Sequence, residues 1–130
     1  MIEQTLRQIP NLSLFQRVTC QVLIQLKSEF PTPCDISCTQ LAQQMIHELQ
    51  LKNSLPIDLA IEISAVISWL EKAELIWVGG HELNDFFDVT LSKYALSLLI
   101  DEHNGISLAE QLSRAQADDE QLFVIQKLLQ

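Results

Sequence analysis

The chain has 130 residues, 48% of them hydrophobic, and a formal net charge of −9. That length suits one hydrophobic core. The apolar content excludes a disordered chain, and no apolar run approaches the ~20 residues that cross a bilayer.

The opening residues, Met1-Ile2-Glu3-Gln4, lack the basic head and apolar body of a secretory signal, so the expected location is cytoplasmic. Ile2, Leu6 and Ile9 predict a short helix that Pro10 ends. A longer helix follows over about 13–29, with Phe15, Val18, Val22 and Leu26 as its apolar stripe and Pro31 and Pro33 beyond its end. Ser37-x-x-Gln40 reads as a capping box that opens a second helix, with Leu41, Met45 and Leu49 facing inward. Asn53-Ser54 marks a turn, and Pro56 suits the first position of a third helix over about 56–73.

The third helix has two apolar faces. Leu59, Ile63, Val66, Ile67 and Leu70 form a core face, while Ile61, Ala65 and Trp69 form a second stripe nearly opposite. Such a helix is expected to be buried on two sides. Leu75 to Val78 and Phe86 to Leu91 read as the strands of a hairpin, with Gly79-Gly80 as the turn signal. Ser92 caps a further helix that ends near Asn104-Gly105. A second capping box, Ser107-x-x-Glu110, opens the C-terminal segment. There Asp118-Asp119-Glu120 is either a polar face or the start of a separate helix, and Leu122, Ile125, Leu128 and Leu129 give an amphipathic end.

Three patterns in this order resemble the winged helix-turn-helix superfamily over roughly residues 13–100. Ile36-Ser37-x-x-Gln40-Leu41-Ala42 resembles the entry to that family's second helix. Val66-Ile67-x-x-Leu70-Glu71-Lys72-x-x-Leu75-Ile76 resembles its recognition helix running into the wing. Leu91-Ser92-x-x-Ala95-x-x-Leu98-Leu99 is similar to the motif after the wing, with Ala95 where members often carry Gly. The resemblance implies a mainly α fold with one β-hairpin (α+β): a three-helix core, a wing hairpin and a C-terminal helical extension. Residues 1–105 would form the winged-helix-like domain with its N-terminal helix, and 106–130 an extension for docking or dimerisation. The link from Gln50 to Pro56 is longer than the family's tight turn.

DNA binding is the family's usual function, and the charge distribution opposes it. A recognition helix offers Arg, Lys, Asn or Gln to base edges and cations to phosphates. This third helix offers Asp58, Glu62, Ile61, Ala65 and Trp69, with Lys72 its one basic residue. The expected wing carries Glu82, Asp85 and Asp88 and no Lys or Arg. The leading expectation is therefore a non-catalytic module that binds a protein partner or a second copy. Its candidate contact residues are Ile61, Ala65, Trp69, Glu82, Asp85 and Asp88. The bland reading is that the Trp69 stripe packs on the chain's own terminal helices. A DNA-binding regulator would need Arg7, Arg17, Lys27, Lys52 and Lys93 as phosphate contacts.

Catalysis and metal binding find little in the sequence. Cys20, Cys34 and Cys38 are an odd set, which suits reduced, structural thiols better than a disulfide framework. Cys34-x-x-x-Cys38 with His47 beyond it falls short of a zinc pattern. His81, Glu82, Asp85 and Asp88 could gather on a divalent cation, although such a run is usually a solvated loop. His47, His81 and His103 are scattered, and Gly79, Gly80 and Gly105 make no phosphate loop. An enzyme would need a pocket joining at least two of His47, His81, Asp85 and Cys38. No catalytic residue, cofactor or metal is assigned from the sequence.

Overall fold

The computed structural model of the chain describes residues 11–51, 54–103 and 105–129. Over these the protein is mainly helical with a small antiparallel sheet. The elements are α1 Leu12–Glu29, β1 Cys34–Ser37, α2 Cys38–Leu49, α3 Pro56–Lys72, β2 Ile76–Trp77, β3 Gly80–Glu82, β4 Asp85–Leu91, α4 Lys93–Ile100, β5 Glu102–His103, β6 Ile106–Ser107, α5 Leu108–Arg114 and α6 Asp118–Leu128. The helix expected over Met1 to Ile9 lies outside the described residues, as do Arg7, Lys52 and Asn53.

The core is built around α1, which packs against α3, β4, α5 and α6. The predicted stripe supplies Val18, Val22 and Leu26 to it, while Phe15 is only half-buried. A neighbouring sector of the same helix, with Gln16, Thr19, Cys20 and Leu23, is buried as well. That sector was not predicted, because Gln16 and Thr19 break its apolar pattern. Leu108, Leu112, Val124, Ile125 and Leu128 of the C-terminal helices join the same core. Asp118 begins a separate helix, as one of the two sequence readings had it.

Both capping boxes form on their serine side. The amide of Gln40 donates to Ser37 Oγ, and the amide of Glu110 donates to Ser107 Oγ. α3 ends in a Schellman motif: the amide of Leu75 donates to the Leu70 carbonyl and that of Glu74 to Glu71, with Glu74 at φ 62. Gln50 at φ 54 ends α2 in the same way. Ser92 then joins the end of α3 to the start of α4. Its hydroxyl donates to the Glu74 carbonyl and accepts from the amide of Ala95.

β4 is the central strand of the main sheet, with β1 on one side and β2 and β3 on the other, all antiparallel. Phe86, Val89 and Leu91 of β4 are all buried, although strict alternation cannot put 86 and 89 on one face. A bulge resolves this. The register with β1 shifts between Ile36, opposite Phe86, and Cys34, opposite Val89. Asp88 sits in the bulge at φ 53, and its amide donates to Asp35 Oδ1 at 3.1 Å. Gly79 lies against this bulge, donating to the carbonyls of Phe87 and Asp88. A Cβ on Gly79 would fall 2.7 Å from Asp88 Cβ, so only glycine allows the approach.

Two turns correct the sequence reading. Gly79-Gly80 is not the hairpin turn: Gly80 pairs with Phe87 inside the sheet, and the chain reverses at Leu83-Asn84, between the paired Glu82 and Asp85. Leu83 takes φ 54 there, where glycine is the usual choice. The helix expected to end near Asn104-Gly105 stops earlier, at Ile100; β5 and β6 then pair as a second small hairpin, with Gly105 at φ 79 before β6, and Asn104 lies outside the described residues.

Candidate functional site

α3 enters through Leu55 and Pro56 and buries Leu59, Ala60, Ile63, Ile67 and Leu70 against the core. Its opposite face was expected to be buried too, and it is not. Ile57, Ile61 and Trp69 are 63%, 58% and 44% exposed, and Ala65 is exposed between them. These four recur at steps of four and so form one stripe that winds gradually around the solvent side. Asp58 and Glu62 flank it, both exposed. Exposed apolar residues scattered singly are ordinary; these four instead share one helix face.

The stripe opens into an apolar groove between α1 and α3. Its volume is about 540 Å³, and Phe15, Ala65, Val66, Trp69 and Leu129 line it, with Glu62 at one side. Trp69 is held on the groove by Phe15, whose ring meets the indole edge to face at 5.2 Å between centroids and 88° between planes. Part of the bland reading is thus correct: Trp69 does touch α1. The contact leaves Ile57, Ile61 and Ala65 open to solvent.

The hairpin acids stand apart from this stripe. Glu82 and Asp88 are exposed and Asp85 is half-buried, and none of them lines the groove. Asp85 instead faces Cys38. Burial first, and then this carboxylate, push the Cys38 thiol up to about 12. Burial alone lifts Cys20 to about 12, and Cys34 is raised by burial despite a hydrogen bond from Gln25. Thiols held this way stay protonated near neutral pH and make poor nucleophiles and metal ligands. His81 lies flat on the buried Phe86, 4.2 Å between centroids, and its Nε2 is 2.7 Å from the Leu83 carbonyl oxygen, so it braces the turn. Among the described residues, no three His, Cys, Asp or Glu side chains gather to hold a metal ion.

Of the five cations a DNA regulator would need, the three described ones lie on two helices. Arg17 lies on α1 and lines a groove that also carries Glu62, Lys27 is in the last turn of α1, and Lys93 opens α4. Arg7 and Lys52 lie outside the described residues. No described helix is long and apolar enough to cross a membrane.

Sequence reasoning missed Ile57, although the step of four that links Ile61, Ala65 and Trp69 extends back to it. It also missed Trp77, which is 58% exposed while Ile76 beside it is buried, as strand alternation requires. No protein-family model, curated protein or solved structure matches the chain.

Proposed function

We propose that this chain is a winged-helix module that acts without catalysis, by binding a protein partner through the solvent face of α3. The observation that carries the reading is the exposed stripe Ile57–Ile61–Ala65–Trp69 opening into the α1–α3 groove. The element order from α1 through the β2–β3–β4 hairpin to α4, and the place of β1 beside β4, support the winged-helix assignment. In that fold α3 is the helix offered to DNA. Here its exposed side carries Asp58, Glu62 and Glu71 against Lys72 alone, which repels phosphate. The same side suits a partner with an apolar centre and a basic rim. Two copies meeting face to face through α3 would oppose like charges, so the favoured partner is a different, basic surface rather than a second copy of this one.

The test pairs two measurements. Titration with mixed-sequence duplex DNA at low salt is expected to show no binding. Tight binding that weakens steeply as salt rises would overturn the proposal and install the DNA regulator in its place. Ile61→Arg is then compared with Gln43→Arg, a charge change at an exposed position of α2. Both variants should melt like the parent. A basic partner that binds the parent and Gln43→Arg should lose at least about tenfold in affinity for Ile61→Arg, the loss expected when a central apolar contact is replaced by a like charge.

A further inference from the structure

A second cleft lies between the end of α3, β2 and the start of α4. It encloses about 810 Å³, and Glu71, Glu74, Trp77, Lys93 and Tyr94 line it. No residue of this cleft lines the Trp69 groove. Trp77 belongs to a two-residue strand, with its neighbour Ile76 in the core and its own side chain 58% exposed. Tyr94 is 42% exposed, and its hydroxyl donates to the Leu128 carbonyl at 3.3 Å, which ties the ring to the end of α6. The two carboxylates come from the last turn of α3 and from the second residue beyond its end, so the Schellman turn and the Ser92 bridge fix the backbone that carries them.

We propose that this cleft binds the guanidinium group of an arginine presented by a peptide segment. An indole face attracts a cation through its quadrupole, and arginine stacks flat on such a face. Glu71 and Glu74, which line the same cleft, then accept from the guanidinium fork in charge-assisted hydrogen bonds. The methylene stem of the arginine gains contact with the exposed apolar surface of Trp77. Glu71 and Glu74 outnumber Lys93, so the lining is net acidic, which disfavours phosphate and carboxylate ligands. The Lys93 ammonium opposes an incoming cation, so its removal should favour binding. This site stands independently of the α3 stripe, and either assignment can fail without the other.

The test uses isotope-labelled full-length protein and a blocked glycine–arginine–glycine tripeptide, followed by NMR. The expected result is a saturable shift of the Trp77 indole N–H and of the Tyr94 and Ser97 amides. The matching citrulline tripeptide, which keeps the shape and loses the charge, should shift none of them. Trp77→Ala and the double variant Glu71→Gln with Glu74→Gln should each weaken binding about tenfold, read from the Tyr94 and Ser97 amides. Lys93→Ala should bind more tightly than the parent. Equal binding of the citrulline peptide, no saturable shift up to the solubility limit of the peptide, or affinity unchanged by the Glu71 and Glu74 substitutions would each overturn the proposal. All four substituted positions are at the surface, and a thermal melt of each variant separates loss of binding from loss of fold.

Discussion

At the scale of single residues, two adjacent glycines carry opposite constraints. Gly79 has Asp88 Cβ 2.7 Å from where its own Cβ would stand, while the nearest atoms to a Cβ on Gly80 are 3.8 Å away. Gly79→Ala is therefore expected to cost about 1–3 kcal/mol, the range for forcing atoms into filled space. Gly80→Ala should cost less than about 1 kcal/mol. Denaturant midpoints of the two variants check this directly. The cysteines set a second expectation. Burial favours the neutral thiols of Cys20 and Cys38, which reach about 12 in the fold against an ordinary 9.0. The folded protein keeps those protons where the unfolded chain releases them. Their contribution is complete below about pH 9 and falls as pH rises toward 12. Urea midpoints measured on either side of pH 9 should show the decline, and Cys20→Ser with Cys38→Ser should flatten it.

At the scale of elements, helices were legible wherever a cap and an apolar period agreed. Ser37, Pro56, Ser92 and Ser107 each stand at a helix start, as the sequence indicated. Turns were less legible because three of them use side chains where glycine is usual. Leu83, Gln50 and Glu74 all take positive φ, so the tight reversal at Leu83-Asn84 carries none of the glycine that would announce it. The glycines at 79 and 80 drew the eye to the wrong place, since one serves close approach and not reversal. Left-handed backbone costs an L-residue about 1–2 kcal/mol. Leu83→Asn and Gln50→Gly should each raise the unfolding free energy by up to about 1 kcal/mol. Lower stability in either variant would mean that the native side chain makes a contact worth more than the backbone relief. The exposed stripe of α3 was visible as a period but not as a surface. Apolar spacing reports which residues share a face, and only the position of neighbouring elements decides whether that face is covered.

At the scale of the whole molecule, the main uncertainty in the sequence was where the C-terminal residues go. Leu108, Leu112, Val124, Ile125 and Leu128 join the core built on α1. The receiving surface was hidden because Gln16 and Thr19 lie on it, both nearly fully buried. A polar residue in a buried sector erases the pattern that would reveal the sector. Ending the chain before Asp118 should therefore be severe. It would remove three buried apolar side chains, Val124, Ile125 and Leu128, each contributing roughly 1.5–3 kcal/mol as an upper estimate. That sum rivals the whole stability of an ordinary domain. The truncated protein is expected to lose cooperative melting and to bind a hydrophobic dye. A sharp thermal transition near that of the full chain would show that α6 is dispensable. The pairing of α1 with α6 also sets a timetable for synthesis. During translation α1 is complete at Glu29, yet its partner helix does not exist until the ribosome has passed Leu128. For that interval the nascent chain displays an apolar surface whose cover is still unmade, and contacts of such long sequence separation form late. Yield in the cell should accordingly depend on chaperones that shelter the first helix until the last one arrives.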